Sequence, residues 1–135
     1  MATPIHDNDV VNSFLENSMK ENTLVTLSKQ FAVEIISLCS KARERKASSI
    51  LTNQLLRCGT SIGANIHEAN YAASRADFVN KLQISLKECY ESDYWLSIFV
   101  ETKIITNEEY SSMHQKCSKI RTLLTASINT AKIKL

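Results

Sequence analysis

The stretch that decides the fold is Gln54-Leu-Leu-Arg-Cys-Gly-Thr-Ser-Ile-Gly-Ala-Asn-Ile-His-Glu-Ala69, which holds both glycines of the chain, Gly59 and Gly63. The run Cys58-Gly-Thr-Ser61 is turn-like, and a loop is one reading of it. Apolar residues nevertheless recur through it without a phase break, at Leu51, Leu55, Cys58, Ile62, Ile66 and Ala69. Steps of three and four are the period of an amphipathic helix. At about 100° per residue both glycines fall on the edge of that stripe. Each glycine inside a helix costs roughly 1 kcal/mol relative to alanine. Glycines four residues apart let a second backbone come close, and here that backbone belongs to a neighbouring helix. Gly59 and Gly63 are therefore expected at a close helix contact.

Beyond this stretch the chain has almost no backbone punctuation. Its 135 residues contain two glycines and one proline, Pro4. Average usage would give about sixteen. Strand-and-turn architectures need those residues at many corners. Three further segments keep the helical period. One reads Leu24, Leu27, Phe31, Ile35, Leu38 and Ala42, and closes on Lys41, Arg43, Arg45 and Lys46. Cations there suit the negative end of a helix dipole. Another reads Phe78, Leu82, Leu86, Cys89, Leu96 and Val100, and the last Tyr110, Met113, Cys117, Ile120, Leu124, Ile128 and Ala131. Ser74 precedes Asp77, and Thr106 precedes Glu109, at capping-box spacing. Short connections make successive helices antiparallel neighbours. The expectation is an all-α, antiparallel up-down four-helix bundle over 22–135, preceded by an acidic N-terminal arm over 1–21, partly ordered at best, in which Val10, Val11, Phe14 and Leu15 suit one or two helical turns.

Hydrophobic residues make up 44% of the chain, ordinary for a globular domain, and the net charge is +2. That is too mild to imply a nucleic-acid partner by itself. Charge-free runs stop at ten residues (47–56 and 122–131), well short of a membrane span. Residues 1–12 do not resemble a signal peptide, and the four cysteines lack a Cys-x-x-Cys spacing. Reduced thiols and a cytoplasmic location are expected.

The third segment carries a second apolar face. Ile84, Trp95, Ile98 and Phe99 stand off its core stripe and share a side with Glu88 and Glu91. A bundle helix needs one apolar face of a little over 100°. A second one with Trp and Phe in it marks these six residues as a candidate subunit interface, with the two carboxylates binding Arg or Lys across the contact. The alternative is that Trp95 and Phe99 widen the core. Asp93 falls near the core stripe and is expected to have a basic or hydrogen-bonding partner.

At this level of detail the sequence resembles a known family. Gln54–Ala69 is similar to the signature of the bacterial four-helix-bundle proteins encoded by intervening sequences in 23S rRNA genes, a ribosomal-protein-like family. Ser74-Arg-Ala-Asp-Phe78, Lys81-Leu82, Leu86-Lys-Glu-Cys89, Glu91, Tyr94-Trp-Leu96, Phe31-Ala32 and Ile35-Ile36 extend the likeness over 24–135. His67 and Asp93 carry no family role. The resemblance implies an antiparallel bundle assembled as a homopentamer. It also implies a distant relation to the accessory variability determinant of diversity-generating retroelements, which binds nucleic acid and a reverse transcriptase. That branch is strongly basic and this chain is not. The family thus implies an architecture more than an activity.

Catalytic and metal chemistry find little support. Cys39, Cys58, Cys89 and Cys117 fall one to each helix, but at the helical rise they lie at heights from about 9 to about 20 Å below the end where the first and third helices finish, too far apart for one tetrahedral ion. Buried inert thiols are expected, with no metal and no cofactor. His6, His67 and His114 share no metal-binding spacing, and there is no Gly-rich phosphate loop. No enzyme and no small-molecule substrate are expected. The candidate nucleic-acid contacts are Lys41, Arg43, Arg45 and Lys46 in one cluster and Lys116, Lys119, Arg121, Lys132 and Lys134 in the last helix. Arg121 and Lys132 flank one side of the apolar stripe while Lys116 and Lys134 flank the other, which suits snorkelling side chains better than one basic track. The functional expectation is a non-enzymatic homo-oligomeric scaffold or interaction protein. The alternative is an RNA- or DNA-binding accessory factor acting with rRNA or a reverse transcriptase.

Overall fold

The computed structural model describes the backbone of residues 7–133 and, before residue 23, the side chains of Val11, Asn12, Leu15 and Met19 only. Four helices follow one another: α1 (Asp7–Glu44), α2 (Ser49–Ala69), α3 (Arg75–Glu101) and α4 (Asn107–Ile133). There is no strand among the described residues. Each helix packs against its neighbours in the cyclic order α1, α2, α3, α4, with α4 closing back on α1. The boundary drawn between arm and bundle near residue 22 falls inside α1, where Leu24 is the first buried apolar residue among the described side chains.

The helix ends follow from local chemistry. Ser74 Oγ accepts from the Asp77 amide at 3.1 Å. Thr106 Oγ1 accepts from the Glu109 amide at 3.1 Å, and the Glu109 carboxylate accepts in return from the Thr106 amide at 2.9 Å. The second pair is a complete capping box. At the other ends, α1 and α3 finish on left-handed residues that are not glycine, Lys46 (φ 65°) and Lys103 (φ 61°). The Ala47 amide bonds back to the Ala42 carbonyl at 3.0 Å, and the Ile104 amide to the Phe99 carbonyl at 2.9 Å, as in a Schellman close. Lysine therefore stands where glycine is usual, which is how the chain ends helices with so few glycines.

The glycines serve packing instead. Neither has a positive φ, and both lie within α2. A Cβ on Gly59 would meet Ile35 Cγ1 and Cγ2 at 2.9 Å, and one on Gly63 would meet the Ser28 carbonyl oxygen at 3.2 Å. Both contacts are with α1, so the two backbones approach at these positions. The Cys39 thiol continues the same seam, donating to the Thr52 carbonyl at 3.7 Å.

On α3 the core stripe differs from the expected one. The buried residues are Val79, Leu82, Ser85, Cys89, Ser92, Leu96 and Phe99, whereas Phe78, Leu86 and Val100 are only partly buried. From Leu82 onward the steps alternate three and four, the seam of packed helices. Two serines sit in that seam because their hydroxyls are satisfied there. Ser85 Oγ donates to the Ile62 carbonyl at 2.9 Å, and Ser92 Oγ to the Glu88 carbonyl at 2.8 Å. Small side chains at both positions bring α3 against α2, so α2 is hugged on two sides.

Candidate interaction surfaces

The second apolar face expected on α3 is largely consumed by the bundle. Phe99 is wholly buried, and Trp95 and Ile98 pack against the core while Ile84 is half-buried. Phe99 is thus a core residue, because its place in the three-four seam points it inward. The large side chains that α3 does expose are Tyr90 and Tyr94. Trp95 Nε1 is buried without a hydrogen-bond partner, and the ring meets Tyr94 edge-on at 5.1 Å between centroids.

Glu88 and Glu91 have their cation within the chain. Arg57 of α2 donates one guanidinium nitrogen to Glu88 at 3.3 Å and the other to Glu91. The expected partner from another subunit is therefore replaced by one from the adjacent helix. The Cys58 thiol lies beside them: one ligand atom each from Cys58, Glu88 and Glu91 fall within 4.8 Å of one another. The Arg57 guanidinium lies on the two carboxylates of this grouping. Burial pushes the Cys58 thiol up to about 12. Burial likewise raises Cys39 to about 11, and Cys117 is held above the ordinary thiol range by its contact with Cys89 and then by burial.

Asp93 has two partners on α4. Arg121 donates to one carboxylate oxygen at 2.7 Å, and His114 Nδ1 lies 3.1 Å from the other. The Arg121 guanidinium also sits over the Tyr90 ring, 5.2 Å from its centroid, and the Tyr110 ring stacks on His114. Sequence pattern flags Asp93 as a carboxylate in need of a partner. It does not name one, because the partner is set by how α4 registers against α3.

The basic residues are placed as follows. Arg45 donates to Glu109 at 2.7 Å and to the Ile104 carbonyl at 3.0 Å. Its hydrogen bonds hold the Glu109 carboxyl down at about 2, against a usual 4.5, with the Thr106 amide adding to the effect. Arg43 donates to the Asn53 side chain at 2.9 Å, and Lys116 to Glu34 at 2.6 Å. Lys41, Lys46, Lys119 and Lys132 are exposed, and Lys134 lies outside the described residues. Among the described residues no continuous basic track joins them: Arg45, Lys116 and Arg121 are each bound to an acid of a neighbouring helix.

Between α1 and α4 the bundle is open, with a groove of about 340 Å³ floored by Leu38 and Met113 and edged by Glu34, Lys41 and Lys116. Longer side chains hold these two helices apart, in contrast to the glycine and serine seams on either side of α2. Glu34 Oε2 is buried there without a partner. Among the described residues no helix is long and apolar enough to cross a membrane.

These features define a class: a four-helix bundle whose distinctive residues serve contact between helices. Residues 20–126 match the family of 23S rRNA-intervening sequence proteins, and the chain belongs to that family. Among solved structures it is similar to a protein of unknown function from the S23 ribosomal protein family of Bacteroides thetaiotaomicron. That likeness runs at 45% identity over 82% of this chain and 98% of the other, with a TM-score of 0.78. No curated protein matches the chain.

Proposed function

We propose that this protein is a non-enzymatic helical bundle that associates with copies of itself and acts as a scaffold or interaction protein. The observation that carries this reading is the character of the outer surface. Val33 and Ile36 of α1 and Tyr90 and Tyr94 of α3 are each more than half exposed on helices that already bury a full core face. Such outward apolar and aromatic side chains are the composition of a contact surface. The family resemblance makes a ring of five the expected assembly. The strongest cations, meanwhile, are spent within the chain on Glu34, Glu88, Glu91, Asp93 and Glu109.

Light scattering after size exclusion tests the assembly, and a monomer at micromolar concentration overturns it. Nucleic-acid binding is the competing reading, consistent with the exposed Lys41, Lys46, Lys119 and Lys132. It is separated by titrating duplex and structured RNA at about 50 mM salt, where phosphate contacts are strongest. No complex is expected under these conditions. A submicromolar complex that weakens steeply with salt would replace the scaffold reading with the accessory-factor one.

A further inference from the structure

Helix α1 is longer than the bundle it belongs to. Leu24 sits with Ile66, Phe78, Leu82 and Ser127 at the lower end of the core. Residues 7–23 continue past the ends of α2 and α3, with only the last turns of α4 alongside. That is about 25 Å of helix at the usual rise per residue. The segment is rich in weak helix formers, with Asn8, Asn12, Ser13, Asn17, Ser18 and Asn22. A helix of that length and composition is marginal in water without a surface to pack on.

The same helix carries an outward apolar line. Of the ten large apolar side chains exposed among the described residues, five are on α1: Val11, Leu15, Met19, Val33 and Ile36. At about 100° per residue they fall within roughly 100° of arc on the side away from Ile35, which faces the core. They are also arranged in two groups about a midpoint. Val11 and Ile36 stand as far from residues 23 and 24 as each other, and so nearly do Leu15 and Val33.

The two ends of α1 carry opposite charge. Residues 7–21 hold Asp7, Asp9, Glu16 and Glu21 against Lys20, four negative and one positive, a net −3. Residues 41–46 hold Lys41, Arg43, Arg45 and Lys46 against Glu44, four positive and one negative, a net +3.

We propose that two copies of this chain pair through α1, antiparallel about a two-fold axis near residues 23 and 24, so that residues 7–23 of each lie along residues 24–40 of the other. Val11 then meets the partner's Ile36 and Leu15 the partner's Val33. Residues 7 and 9 of each α1 lie across from residues 40 and 38 of the other, next to the start of its basic 41–46 cluster. The two bundles fall on opposite sides of the helix pair and are offset along it, so neither obstructs the other. Such a contact is isologous, the same patch used by both copies. This rests on the self-association proposed above and adds a specific surface to it. It joins copies in twos, giving a dimer of free chains or a paired set of two five-membered rings.

The test uses the full chain. Val33→Glu with Ile36→Glu places acid beside the acidic arm on an exposed surface, where the bundle itself is unaffected. The expected result is a twofold fall in mass by light scattering with the bundle still folded by far-UV circular dichroism. The double variant Leu15→Cys with Val33→Cys is expected to form a covalent dimer under mild oxidation. Leu15→Cys alone is not, since the two copies of residue 15 are about 26 Å apart in this register. Cross-linking by Leu15→Cys alone, or pairs that persist in the glutamate variant, would overturn the antiparallel pairing. A wild-type mass of five chains would overturn the pairing and leave the ring. A wild-type monomer would remove self-association altogether.

Discussion

Replacing Gly59 with alanine sets two effects of known size against each other. Alanine is a better helix former than glycine by about 0.8–1 kcal/mol, so on propensity alone the variant should be more stable. The new methyl, however, would lie 2.9 Å from both Cγ1 and Cγ2 of Ile35 and 3.3 Å from its Cβ. Ile35 is completely buried, and a β-branched side chain in a helix is nearly confined to one rotamer, so it has no free rotation by which to yield. Relief requires α1 and α2 to separate, against the Cys39–Thr52 and Gly63–Ser28 contacts on either side of the site. Overpacking of this kind costs about 1–3 kcal/mol, and the net expectation is a loss of about 1 kcal/mol. Urea unfolding followed by far-UV circular dichroism measures it, at one fixed protein concentration because assembly couples to stability. Ile35→Ala removes both crowding carbons, and a double-mutant cycle isolates their contact. The two changes together should cost less than the sum of each alone by about 1 kcal/mol or more. A Gly59→Ala protein more stable than the parent, or a cycle with no coupling, would refute the close-approach account.

Gly63→Leu directs a branched side chain at the Ser28 carbonyl, 3.2 Å from the first added carbon, and should cost about 3 kcal/mol in the same unfolding experiment. Lys46→Gly and Lys103→Gly relieve the left-handed conformations that end α1 and α3, and each should raise stability by about 0.5–1 kcal/mol. Glu109 titrates lower in the folded chain than unfolded, so its contribution is complete above the ordinary carboxyl value of 4.5 and is lost as pH falls from there towards about 2. Because Arg45 is substantially exposed, solvent screening reduces that contribution to about 1 kcal/mol or less, and Glu109→Gln should flatten the acid limb of the stability–pH curve accordingly. The four cysteines are buried, with burial holding Cys39 and Cys58 in the thiol form, so a thiol reagent should label the native chain no faster than it unfolds.

What the sequence made legible was whatever is decided within a few residues of chain. The helical period runs through Leu51 to Ala69 without a break, and Thr106 with Glu109 closes a capping box whose partners are three residues apart. The α3 stripe was misplaced for a physical reason. Leu86 and Val100 outweigh Ser85 and Ser92 on any hydrophobic scale, yet a serine whose hydroxyl bonds to a helix carbonyl is a small side chain in effect. The signal that finds them is spacing: Leu82, Ser85, Cys89, Ser92, Leu96 and Phe99 alternate steps of three and four, and Gly59 and Ile62 keep the same alternation on α2. Partners such as Arg57 for Glu88, or Arg121 for Asp93, were not legible, because they depend on the registers of helices far apart in sequence.

These two kinds of residue explain the shape of the molecule together. Glycine and serine on the seams of α2 draw α1 and α3 against it, and the width they save is not matched between α1 and α4. There Glu34, Met113 and Lys116 stand in the gap, and an open groove results. An asymmetric bundle of this kind has one well-knit edge around α2 and one loose edge beside α1. Helix α1 packs closely on one side only, and it is the helix that runs beyond the others and keeps an apolar line facing outward. The arrangement of its outer line about residues 23 and 24 belongs to α1 as a whole and not to the bundle. A helix selected only to complete a four-helix core would end near Leu24, where that core ends. The additional turns before it are accounted for when the surface they pack on is a second α1.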